Sequence, residues 1–170
     1  MDKNNIVLSS IDVPKEYDFR EGMKIGLIDV DNYSKLDECF PNLPLMKLSA
    51  YHKSIGDDVG WYNSQYCDIV YMSKVFTFTK DYPYEINASK IIKGGSGYAI
   101  KLENGKEVYH KELDPSLPYE LEHIYPDYLL YGITDTAYGF MQRGCPRACD
   151  FCHVKSKEGL KSYKVADLSE

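Results

Sequence analysis

With 170 residues, 19.5 kDa and 44% hydrophobic side chains, the chain has room for one ordinary globular core and a tail, and not for two full domains. Its formal net charge of -6 and pI near 5.2 argue against general nucleic-acid binding, which needs a clustered positive field. Residues 1–12 hold no apolar run of signal-peptide length and no segment reaches membrane length, so the expected setting is cytoplasmic, without a membrane partner.

Residues 23–29 form an apolar run that reads as a buried strand, followed by a polar turn through Asp29, Asp31 and Asn32. After Pro44, the positions Leu45, Leu48, His52 and Ile55 share one helical face, and Gly56 supplies a stop. Leu45, Leu48 and Ile55 should face a sheet, and His52 reads as a packed helix residue rather than a ligand. Strands are expected at 59–62 and, more strongly, at 68–73, where β-branched and aromatic residues cluster.

Residues 80–88 have the composition of a short helix, and 90–92 of a further strand that ends in Gly94-Gly-Ser-Gly97. The glycines could let a backbone approach phosphate, but the fingerprint is incomplete and no phosphate-loop lysine follows, so a structural turn is the favoured role. Asn104-Gly105 between 98–102 and 106–110 signals a hairpin. Residues 117–123 begin a turn or one-turn helix, and 126–131 lead toward the cysteines. Strands alternating with helices over 24–100 imply a mostly parallel sheet with helices on both faces, a small Rossmann-like α/β domain. The expected organisation is this domain over 1–140 and a cysteine-motif segment with its tail over 141–170.

Tyrosine is over-used, with 16 copies against the single Trp61, which suits both core packing and protein contacts. The lysines between Lys155 and Lys164 are read as a solvated run. Of the 5 cysteines, Cys39 and Cys67 lie apart and read as small buried hydrophobes. The other three crowd into Arg143-Gly-Cys-Pro-Arg-Ala-Cys-Asp-Phe-Cys-His153 with the spacing C-x3-C-x2-C. In a reducing compartment such a crowd points to metal or cluster ligation rather than disulfides. Three thiolates can hold three irons of a 4Fe-4S cube and leave the fourth open to a small molecule. Zinc competes less well, because adjacent Cys152 and His153 make a cramped tetrahedral chelate.

The spacing Cys145, Cys149, Phe151, Cys152 resembles the C-x3-C-x-aromatic-C signature of radical S-adenosylmethionine (SAM) enzymes. The string from Arg143 to Cys152 is similar to the branch with an N-terminal cobalamin-binding-like or methylthiotransferase-like domain. Gly26-Leu-Ile-Asp-Val-Asp, Ser49-Ala-Tyr-His-Lys-Ser-Ile-Gly56, Val70-Tyr-Met-Ser-Lys-Val-Phe76, Gly94-Gly-Ser-Gly97 and His123-Ile-Tyr-Pro-Asp-Tyr128 look like the successive elements of that domain. The resemblance implies that Cys145, Cys149 and Cys152 bind the cluster, that SAM chelates its open iron, and that Phe151 lies near the adenine. Reductive cleavage of SAM would then give a 5'-deoxyadenosyl radical.

Two departures qualify what the resemblance implies. Residues 154–170 are too few for the barrel that follows the motif in the family, so the chain reads as truncated there. The cobalamin-ligating Asp-x-His-x-x-Gly loop is also missing, because Asp29-Val-Asp-Asn-Tyr-Ser has no histidine. The expected function is accordingly a non-catalytic remnant that binds a protein or ribonucleoprotein partner, for example as a phage-encoded, anti-CRISPR-like inhibitor of a host complex. The alternative is the cluster- and SAM-binding part of a split or truncated radical SAM enzyme that needs a partner barrel. A structural zinc or cluster domain of a larger assembly is the third reading.

Overall fold

The structure, a computed structural model, describes residues 22–33 and 40–167, so Cys39 and the 1–12 segment lie outside it. Its centre is a four-stranded sheet in the order β2-β1-β3-β4, built from β1 (Lys24–Asp29), β2 (Asp58–Trp61), β3 (Cys67–Ser73) and β4 (Ala88–Gly94). All three pairings are parallel, with Ile25 level with both Val59 and Ile69, and Val70 level with Ile91. The expected α/β architecture therefore holds, and its parallel sheet is flanked by helices. Among the described residues, no helix is long and apolar enough to cross a membrane.

Helix α1 (Leu43–Ser54) joins β1 to β2. Asn42 starts it by accepting the Leu45 amide on its side chain at 3.3 Å, and Pro44 sits in the first turn, where no amide is needed. Leu45 and Leu48 pack with Ile25, Leu27, Tyr71 and Ile92 into the first core cluster. Ile55 is the C-cap and only half-buried, one position beyond the helical face that predicted it to join them. Gly56, at φ +85°, ends the helix as expected. His52 is buried, with Nδ1 2.6 Å from the Asp57 carboxylate and Nε2 3.0 Å from the Tyr71 hydroxyl, so both ring nitrogens serve the packing.

The opposite face buries Ile28, Val30, Cys67, Val70 and Met72. A helix over 80–88 was expected to help cover it, and none forms. Pro83 would interrupt such a helix, and Asp81 is instead committed to tertiary bonds, accepting from the Tyr98 hydroxyl at 2.5 Å and Lys93 Nζ at 2.9 Å. An irregular segment supplies Tyr82 and Ile86 as cover, and the one-turn helix α2 (Ser96–Ala99) adds Tyr98. The two faces thus differ, with the long helix on one side only. The link 62–66 between β2 and β3 contains no helix and lays Tyr62 across Gly26. A Cβ there would meet the Tyr62 ring at 3.0 Å and the Cys67 sulfur at 3.1 Å, so the close approach needs glycine.

Beyond the sheet, Asn104 (φ +50°) and Gly105 (φ +78°) close the expected hairpin of β5 (Ile100–Glu103) and β6 (Lys106–Tyr109). Helix α3 (Tyr119–Glu122) inserts Leu121 into the first core cluster. A 3-10 turn, Tyr128–Tyr131, brings the Leu130 carbonyl to the Trp61 indole N–H, which donates to it at 3.0 Å. The chain then forms β7 (Gln142–Arg143), the cysteine loop, α4 (Val154–Lys157) and β8 (Tyr163–Lys164), with β7 and β8 antiparallel.

Candidate metal centre

The cysteine loop leaves β7 at Gly144, whose φ of +77° and whose Cα hydrogens facing the Lys161 carbonyl leave no room for a side chain. It turns again at Ala148, a non-glycine residue at φ +49°. Left-handed backbone costs an L-residue roughly 1–2 kcal/mol, so this turn stores strain immediately before Cys149. The Cys152 amide donates to the Cys149 carbonyl at 3.1 Å, which tightens the second half of the loop.

Cys145, Cys149 and Cys152 are all free and half-buried. The structure brings them into one loop, yet among the described residues no three His, Cys, Asp or Glu side chains are gathered as a metal site would gather them. The donor set has the chemistry for a three-thiolate cluster, and ligation would require the loop to close so that the sulfurs converge. Phe151 projects into solvent at 87% exposure. His153 turns away from zinc-type ligation, its Nε2 lying 3.0 Å from Glu107 of β6. Cys67 is buried as expected, and burial pushes its thiol pKa up, the opposite of what a reactive or ligating cysteine needs.

Ionic hubs frame the loop, and they were not anticipated from the sequence. At the entry, Arg143 donates to Glu158 at 3.0 Å and to Glu122 of α3 at 2.9 Å, with its aromatic neighbour Phe140 under the guanidinium at 4.7 Å. Burial works against the Arg143 charge, but the two carboxylates outweigh it and raise the guanidinium pKa. At the exit, Lys157 of α4 pairs with Asp114 at 2.8 Å and donates to the Ser96 hydroxyl at 2.9 Å. Asp114 also accepts the Gly95 amide at 3.0 Å. The glycine turn after β4 is therefore occupied by the chain's own carboxylate, which agrees with the structural role read for it.

Two features lie on the sheet's C-terminal edge. Asp29 is 1% exposed; its Oδ2 accepts from the Tyr131 hydroxyl at 2.7 Å and Asn32 at 3.1 Å, while Oδ1 has no hydrogen-bond partner among the described residues. Burial is the main cause of its raised pKa. Asp31 pins the loop after β3, accepting from the Val75 amide at 2.6 Å, the Phe76 amide at 3.3 Å and the Thr79 hydroxyl at 2.5 Å. That turn displays Phe76 and Phe78, stacked at 5.2 Å and exposed to solvent.

From Glu122 to Asp167 no residue is buried. The cysteine segment has no apolar core of its own, and its order rests on ion pairs, backbone bonds and docking on the α/β body. The class of protein so defined is an α/β domain with a four-stranded parallel sheet that carries a coreless three-cysteine loop. Searches of family models, curated proteins and solved structures returned no match to the chain.

Proposed function

We propose that the cysteine loop is a ligand loop for an iron–sulfur cluster and that the chain is the cluster- and SAM-binding portion of a radical SAM-type protein. The observation that carries this reading is the conjunction of three free thiols in one loop with a segment that buries no side chain. Segments too small to build a core are commonly stapled by a disulfide or a metal. Here the three thiols offer the means, and their half-buried positions leave them open to reagents.

Cys145, Cys149 and Cys152 would supply the thiolates, and Phe151, already exposed beside Cys152, would offer an aromatic face to the bound molecule. When bound, such a cluster supplies an open iron for a chelating ligand and an electron for its cleavage. The chain's own share would be to carry the three thiols on one loop whose frame is anchored to α3 and to the turn after β4.

A second reading, contact with a protein or ribonucleoprotein partner without catalysis, is favoured by the aromatic surface. Phe76, Phe78 and Phe151 are 51%, 82% and 87% exposed, and the first two stand on a turn that Asp31 holds in place. A rigid exposed aromatic pair is the anchor type that partner surfaces use.

Anaerobic reconstitution with iron and sulfide, followed by absorbance and electron paramagnetic resonance with and without SAM, separates the readings. A thiolate-to-iron band and a reduced spectrum perturbed by SAM support the first. Stoichiometric zinc with no iron uptake refutes it. A folded, metal-free protein that captures a macromolecular partner unchanged after Cys145, Cys149 and Cys152 are replaced by serine supports the second.

A further inference from the structure

The cysteine loop is closed at its base by the chain's own hydrogen bonds. Glu158 places one oxygen 3.0 Å from Arg143 Nη1 and the other 2.9 Å from the Gly144 amide nitrogen, accepting from both. One residue further along each side of the loop, the Cys145 amide donates to the Gly159 carbonyl at 3.2 Å. Three bonds thus join the entry of the loop to its exit. The second Arg143 nitrogen reaches Glu122, and the Glu122 carbonyl in turn accepts from Lys47, a buried residue of α1. The base of the loop is thereby tied to the helix that packs on the sheet.

We infer that Glu158 is the positioning residue of the cysteine loop: its carboxylate holds the Arg143 guanidinium and the Gly144 amide together and sets where the Cys145 thiol enters. The inference rests on the cluster reading for its purpose and on the geometry alone for its mechanism. Closing the base removes chain entropy that a ligand would otherwise have to remove, so thiolate binding starts from a shorter, restricted loop. Both carboxylate oxygens are committed, and this makes the residue hard to replace. Glutamine keeps the shape but offers one acceptor oxygen, so it can hold the guanidinium or the amide and not both. Glu122 has a lesser part, because Arg143 keeps Glu158 when Glu122 is lost.

The test uses the full chain under anaerobic conditions with Co²⁺ alone as the probe, read by its thiolate charge-transfer absorption. Glu158→Gln is expected to weaken Co²⁺ binding roughly 10–100-fold, the range for residues that orient metal ligands, and Glu122→Gln by less. The double variant Arg143→Gln, Glu158→Gln should lose no more than Arg143→Gln alone, since the two residues act as one unit. Hydrogen exchange in β1 and β3 should stay at the wild-type rate, which separates loop positioning from global unfolding. Wild-type Co²⁺ affinity in Glu158→Gln would overturn the inference.

Should the wild-type chain show no thiolate band, the cluster reading falls and positioning is judged by two metal-free rates. Exchange of the Cys145 amide and alkylation of the Cys145 thiol by iodoacetamide must both quicken in Glu158→Gln, and unchanged rates overturn the inference on its own ground.

Discussion

The sheet body and the cysteine segment are held by different forces. In the body, Ile25, Leu27, Val70 and Met46 are at most 2% exposed, and burial of apolar area at ~25 cal/mol per Å² is the main stabilising contribution. In the segment from Glu122 to Asp167 nothing is buried, and carboxylate–guanidinium and carboxylate–ammonium pairs at 2.8–3.0 Å take over. These pairs are half-buried and must offset the desolvation of both charges, so without an apolar core the segment has little stability independent of the body. The same chain thus joins a cooperative core to a region able to open alone.

The largest expected effect falls on the core. Leu48→Ala removes a side chain 5% exposed between α1 and the sheet, and should cost about 2–5 kcal/mol by chemical denaturation. A cost below ~1 kcal/mol would mean that α1 does not pack as described. Gly26→Ala should also destabilise the body, because its Cβ would press on Tyr62, Cys67 and Val70 at 3.0–3.1 Å.

In the segment the same class of change should act locally. Gly144→Ala sets a methyl against the Lys161 carbonyl at a left-handed position. It should speed hydrogen exchange across β7 and β8 while leaving β1 and β3 protected. Global loss of protection would show that the two regions fold as one unit. Replacing Cys145, Cys149 and Cys152 together by serine should abolish iron incorporation on reconstitution and leave the unfolding free energy of the metal-free chain within ~0.5 kcal/mol of wild type. Iron uptake equal to wild type would remove the thiols from the site.

Much of the body could be read from residue types. β1, β3 and β4 announce themselves as apolar runs, β3 with β-branched and aromatic residues, and α1 by the Leu45, Leu48, His52 spacing and the Gly56 stop. In the segment 80–88, Pro83 already argues against the expected helix, and Tyr98 and Lys93, reaching Asp81 from more than ten residues away, decide what forms instead. The cysteine motif is visible as a local string, whereas its frame is not. Glu122 and Glu158 are ordinary acids in one dimension and become specific only through Arg143, 21 and 15 residues away. The glycines after β4 drew attention as a possible phosphate loop, and Asp114, 19 residues beyond Gly95, shows why they form an internal turn.

The smallest expected effect is a pH dependence. Burial raises the Asp29 carboxyl above its ordinary 3.8, so the folded state holds this proton more tightly than the unfolded chain. A raised folded pKa contributes stability that is fully present below 3.8 and is lost as pH rises through the folded value. Asp29→Asn should remove that downward slope from a plot of stability against pH. Superimposable profiles for wild type and variant would assign the slope to other groups.

The link that lays Tyr62 over Gly26 sets a limit on how sequences of this kind can vary in length. Trp61 pairs with Leu27 and Ile69 with Ile25, so Cys67, two residues before Ile69, starts its strand near the bottom of β1, which lies between the two strands. Four residues of descent and two strand spacings place those ends about 16 Å apart in a straight line, before the chain rises over the sheet face. Six chain steps reach ~20 Å. The few Å left over are taken up by the bend at Ser64 (φ +69°), so insertions between Trp61 and Cys67 should be tolerated, one deletion should straighten that bend, and further deletions should pull β2 out of register.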